Sequence, residues 1–204
     1  ISSEPVFQTI SKSLEKLKKV NQAIEKKDAY TLTHSERVQK LSIKIGLEMK
    51  LEREVLSKLA FAALFHDLGK IYIEDHILNK PGKLNDEEFH QVKLHPQNSA
   101  EYVRSIKFID IADIVLQHHE RIDGSGYPFG LTEENICQEA KIIAVADSFD
   151  AMTTDRPYRK GINPLLALEE IRYLAGSLYD KEVVKVFSGI MSKTPQRRTY
   201  FTSI

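Results

Sequence analysis

Polar residues of a few types interrupt apolar stripes at helical spacing in four places along this chain of 204 residues. Val38, Leu41 and Ile45 share one stripe, and His34 lies four residues before Val38 on the same line. Val55, Leu59 and Ala62 lead to His66, while Leu56, Ala60 and Ala63 lead to Asp67. Ile111, Ile114 and Val115 run into His118 and His119. Ile142, Ile143, Ala144, Val145 and Ala146 surround Asp147, with Asp150 three residues on. Steps of three and four residues predict helices that bury one face. Upstream, Phe7, Ile10, Leu14, Leu17 and Ile24 follow the same steps with Asn21 at the seam, predicting a heptad-like helix over about residues 4–27. Two readings of it stay open. It lies on the domain's own surface, or it is a coiled-coil segment that couples dimerisation or an upstream sensor to the rest.

The connections are rich in turn formers: Lys80-Pro81-Gly82-Lys83, the loop from Asp123 to Leu131, and the stretch from Asp155 to Pro164. Gly69 is expected to stop the helix that carries His66 and Asp67. His95 precedes Pro96, which disfavours helical geometry at His95 and suits Pro96 as the first residue of a helix. His95 then sits at a helix mouth. Strand-like alternation is nearly absent, and Thr194 to Ile204 reads as a poorly packed tail. The fold class is therefore all-α, with residues 1–27 as an N-terminal long helix and residues 28–204 as one helical domain.

Composition narrows the function classes. Hydrophobic content of 42% and charged content of 28% are those of a globular domain, and the apolar runs are too short to span a bilayer. Lys and Arg (29) balance Asp and Glu (29), so no global field recruits polymeric nucleic acid or an acidic membrane. Cys137 is the only cysteine, which removes disulfides and thiolate clusters and suits a cytoplasmic location. The chain begins at Ile1 rather than Met, which suggests a fragment and leaves room for an anchor or sensor in a longer form.

Burying so many imidazoles and carboxylates without partners costs several kcal/mol. Metal ions supply the partners. Neighbouring residues on a helix diverge by about 100°, so Asp67 beside His66, and His119 beside His118, can serve two adjacent ions. Histidine plus carboxylate without thiolate suits iron, manganese or zinc rather than calcium or magnesium. Two ions about 3.5–4 Å apart suit hydrolysis of phosphate esters.

His66-Asp67-Leu68-Gly69-Lys70 resembles the HDxGK signature of the HD phosphohydrolases, and His118 to Pro128 resembles the HHExxDGxGYP pattern of the HD-GYP subclass. His34-Ser35-x-Arg37-Val38, Lys80-Pro81-Gly82-Lys83-Leu84, His95-Pro96, Val145-Ala146-Asp147 and Arg156-Pro157-Tyr158-Arg159 follow in the family's order. The resemblance spans roughly residues 28–187. It implies a helical bundle around a metal centre that hydrolyses cyclic di-GMP, a bacterial second messenger, to linear pGpG, with a further step to GMP left open. By the same resemblance the metal ligands are His34, His66, Asp67, His95, His118, His119 and Asp147. Asp67 bridges the ions and Lys70 contacts the scissile phosphate. Gly126 and Tyr127 shape the pocket rim, and Asp150, Arg156 and Arg159 face the nucleotide.

Departures sharpen the expectation. Members of the family with three metals carry Glu four residues before the first histidine, and this chain has Tyr30 there, so two divalent ions are expected, iron or manganese. Thr33, Glu74, Gln138 and Lys141 also depart from the usual residues, but none of them removes a ligand. Two alternatives stay open: a weakly active interaction module that binds signalling partners through the GYP loop, and a phosphodiesterase for another cyclic dinucleotide. A homodimer and an upstream sensor or receiver domain are the partner expectations beyond the substrate.

Overall fold

The computed structural model describes residues 29–155 and 160–193. The expected N-terminal helix, the tail from Thr194, and Arg156 and Arg159 lie outside the described residues. Nine α-helices make up the described fold: α1 Ala29–Glu48, α2 Arg53–Phe65, α3 Asp75–Leu78, α4 Asp86–Lys93, α5 His95–Ser105, α6 Ala112–Gln117, α7 Gln138–Thr153, α8 Pro164–Tyr173 and α9 Lys181–Lys193. Short 3-10 turns at Leu68–Tyr72, Ile109–Ile111 and Glu133–Asn135 join them. Among the described residues there is no strand, only the isolated bridges Asp123–Thr132 and Ala175–Tyr179. The all-α expectation is met.

Helix α7 is the axis of the domain. Ala140, Ile142, Ile143, Ala144, Val145, Ala146 and Phe149 are all buried, so the helix is apolar around most of its circumference. Helices α1, α2, α6, α8 and α9 pack against it. The charged exceptions on this buried surface, Asp147 and Asp150, point to where the domain does something other than pack.

Local signals fix the starts of two helices. Asn85 caps α4 in a capping box with Glu88, each side chain taking the other's backbone N–H at 2.8 Å. Asn163 caps α8 by accepting from Leu165 N, with Pro164 in the first helical position.

Two local expectations are corrected. The break between α4 and α5 falls at Leu94 rather than at His95, which already opens α5 while Pro96 follows inside its first turn. Gly69 does not stop α2. That helix ends at Phe65, and Gly69 lies within the 3-10 turn Leu68–Tyr72. A Cβ at Gly69 would collide with the carbonyl oxygen of His95 and stand 2.7 Å from Ser99 N. Glycine is required there because two backbones touch. The Gly69 N–H donates to Ser99 Oγ at 2.7 Å and locks the turn onto α5.

Candidate metal centre

Three imidazoles are oriented by one local device. His66, His95 and His118 each set Nδ1 against the carbonyl oxygen three residues back, at 2.7 Å (Ala63), 2.6 Å (Val92) and 2.6 Å (Val115). A carbonyl can only accept, so Nδ1 carries the hydrogen and Nε2 presents a lone pair. Those lone pairs converge. His95 Nε2 and His118 Nε2 stand 3.2 Å apart, and His66 Nε2 is buried with no hydrogen-bond partner. Burial, reinforced by the neighbouring imidazoles, pushes His118 and His119 well below the usual histidine range, which leaves them neutral.

His34 is held differently. Its Nδ1 contacts Asp150 Oδ2 at 2.7 Å, and its Nε2 lies 3.0 Å from Asp147 Oδ1 and 3.7 Å from Asp67 Oδ2. Burial opposes charge on this ring, but the Asp147 and Asp150 carboxylates outweigh it and raise His34 to about 9. Without a metal the ring is an imidazolium.

The donors fall into two groups, His34–His66–Asp67 and His95–His118–His119, each with its ligand atoms within 4.8 Å of one another. Asp147 stands beside the first group through His34. Asp67 lies between the two. Its Oδ2 is 3.4 Å from His66 Nε2 and 2.6 Å from Lys70 Nζ, and its Oδ1 is 3.3 Å from His95 Nε2. Burial works against ionisation of Asp67, yet Lys70 and the imidazoles hold its carboxyl well below the usual range. Asp147 is likewise kept ionised by His34 and its neighbours against its burial. Two close Nε2 lone pairs and an orphaned third form a poor arrangement for protons and a good one for cations. The donor set therefore fits divalent metal ions.

The segment after His119 closes over this centre. Tyr127 stacks on His119 with ring centroids 4.7 Å apart, and burial raises its hydroxyl above the ordinary range. Gly126 presses on the backbone of Glu120 and Arg121, where any side chain would collide. Glu120, 2% exposed, accepts from Phe129 N at 2.7 Å and Leu131 N at 2.9 Å and so ties down the loop. Asp123 braces it through Ser125, as a turn residue is expected to do. Lys93 Nζ lies 5.6 Å from the Tyr127 ring centre and 4.6 Å from that of Phe89.

The structure thus brings together His34, His66, Asp67, Lys70, His95, His118, His119, Tyr127 and Asp147. Asp150 departs from expectation. It is 3% exposed, with one oxygen on His34 and both on Arg37, so it faces His34 rather than open space for a nucleotide. Sequence alone assigned no role to Arg37 and no anchoring role to Glu120. Both sit inside the matched motifs, but only tertiary contacts across 113 and 9 positions reveal their work.

Comparison with known proteins agrees with this geometry. A family model described as HD domain matches residues 18–183. A cyclic di-GMP phosphodiesterase of Pseudomonas aeruginosa is 44% identical over 164 residues, covering 78% of this chain and 39% of that protein. A cyclic di-GMP phosphodiesterase of Thermotoga maritima is 45% identical over 177 residues, covering 85% of this chain and 48% of that protein. The chain therefore spans less than half the length of these two relatives. Among solved structures, Bd1817, described as an HDG"Y"P protein from Bdellovibrio bacteriovorus, superposes with a TM-score of 0.66 at 22% identity, covering 79% of this chain and 52% of that one. A centre built from five histidines and two aspartates on an all-α frame, with the family model matched across most of the sequence, leads to one assignment: the chain belongs to the HD domain family.

Proposed function

We propose that this domain is a metal-dependent phosphodiesterase that opens cyclic di-GMP to linear pGpG, using two divalent ions of iron or manganese. The observation that carries the reading is the pair of donor groups with Asp67 facing both, beside the Tyr127 ring stacked on His119. His34, His66, Asp67 and Asp147 would hold one ion and His95, His118 and His119 the other, with Asp67 also facing the second group. When bound, such a pair activates water and neutralises charge on phosphate oxygens.

The chain's own groups account for the rest. Lys70 Nζ, 21% exposed and 2.6 Å from Asp67, supplies an ammonium beside the donor groups, the charge that stabilises a phosphate in reaction. Tyr127, stacked on His119, offers a flat wall to the nucleotide and restricts water. The loop's attachment to Glu120 keeps that wall in place. The HHExxDGxGYP segment and the two relatives named as cyclic di-GMP phosphodiesterases support this substrate class. Among the described residues no helix is long and apolar enough to cross a membrane, and a cytoplasmic site of action fits a nucleotide second messenger.

The test is hydrolysis of a panel of cyclic dinucleotides by anaerobically purified protein reloaded with Mn²⁺ or Fe²⁺, with products separated by chromatography. Conversion of cyclic di-GMP to pGpG in preference to the others is expected. Preference for a different cyclic dinucleotide, or no turnover by metal-loaded protein, contradicts the proposal.

A further inference from the structure

His34 differs from the other oriented imidazoles in what holds its Nδ1. His66, His95 and His118 use neutral carbonyls on their own local turn, whereas His34 uses the carboxylate of Asp150, 116 positions away on α7. That carboxylate is in turn gripped by Arg37, one turn along α1 from His34, through Nε to Oδ1 at 2.6 Å and Nη2 to Oδ2 at 2.8 Å. The result is a closed chain: a bidentate guanidinium, a carboxylate and an imidazole, running from the rim of the fold into the centre. Arg37 is 12% exposed and Asp150 4% at their side chains, so water competes weakly for either.

We propose that Arg37 and Asp150 are positioning residues that set the affinity of one metal position, the His34–His66–Asp67 position, without touching substrate. The inference rests on the two-ion reading above. A carboxylate on Nδ1–H makes Nε2 a stronger donor than a carbonyl does and fixes the ring plane. The Arg37 fork removes rotational freedom from the carboxylate that a single charge would leave. The two positions are therefore built unequally. At one position His95 and His118 rest on local backbone carbonyls, whereas at the other His34 depends on an ion pair between α1 and α7.

Titration of metal-stripped protein with Mn²⁺, followed by calorimetry and by electron paramagnetic resonance, tests this. Wild type should bind two ions and show the signal of a spin-coupled pair. Asp150→Asn keeps the shape and loses the charge. It should weaken one ion by about 10–100-fold while leaving the other within about twofold, giving the spectrum of isolated Mn²⁺ at low loading. Arg37→Met should act in the same direction, and Arg37→Lys, which keeps a charge but not the fork, should fall between. At saturating Mn²⁺ the KM for cyclic di-GMP should not move. Unchanged affinities with a raised KM in Asp150→Asn would make Asp150 a substrate contact and overturn the proposal. Equal weakening of both ions would reduce it to general support of the fold and overturn it too. Wild type binding fewer than two ions would instead defeat the two-ion reading, and the inference with it.

Discussion

His66 shows in one side chain why this centre exists. Its Nδ1–H is spent on Ala63, and its Nε2 is buried without a hydrogen-bond partner, a state that costs about 1–3 kcal/mol unless something accepts the lone pair. Asp67, with atoms facing both ligand groups, is the residue whose loss should matter most. Asp67→Ala is expected to abolish metal loading and turnover together, read by elemental analysis and by hydrolysis. Lys70→Ala should keep both ions and lose about 10²–10³ in kcat, the scale of one lost charge-stabilising group. Loss of metal in Lys70→Ala would assign the lysine to ligand support instead. His34 supplies a pH prediction. Its folded value of about 9 exceeds its ordinary 6.5, so in metal-free protein its ion pairs stabilise fully below about 6.5. That contribution, on the order of 3 kcal/mol, disappears as pH rises through about 9. A metal must displace the same proton, so affinity at that position should rise with pH over this window and then level. Denaturant midpoints of stripped protein and Mn²⁺ titrations between pH 6 and 9.5 read the two trends, which run in opposite directions. A flat metal affinity would contradict the protonated state of His34.

At the scale of elements, the centre depends on contacts between segments that each look ordinary. The apolar stripes were readable because helix periodicity places His34, His66, His118 and Asp147 on buried faces whatever surrounds them. The role of Gly69 was not, because a glycine that ends a helix and a glycine that admits another backbone look alike in sequence. Only the approach of α5, with His95 and Ser99 against it, separates the two. Arg37 and Glu120 were hidden for a related reason. Their partners, Asp150 on one side and Phe129 and Leu131 on the other, come together through the tertiary fold and not through a local spacing rule. Glu120→Ala should therefore act through the loop. It leaves two backbone N–H groups without their acceptor, at about 1–3 kcal/mol each. A lowered melting temperature and a raised KM are expected, with metal content unchanged. Loss of metal content in this variant would instead tie the glutamate directly to the ligands.

For the whole molecule, the ions are expected to be part of the fold's stability, because the ligands come from α1, the turns after α2 and α6, and the helices α5 and α7. A ligand at a hundredfold its Kd contributes about 2.7 kcal/mol, and in a chain of this length each kcal/mol moves Tm by about 2–4 °C. Chelation should lower Tm by about 5–10 °C per position emptied, and Mn²⁺ should restore it. The all-α architecture and most of the candidate ligand set were readable in the sequence, since a bundle buries its stripes in one place, while His95 was marked only by its place before Pro96. The N-terminal heptad helix and the arginines at positions 156 and 159 fall outside the described residues and stay as expectations. The most direct measurement is the metal-to-chain ratio of anaerobically purified protein, taken on the sample used for cyclic di-GMP hydrolysis. Two ions per chain, with turnover lost on stripping and regained on reloading, is the expected result. Turnover by metal-free protein, or a third ion per chain, would contradict it.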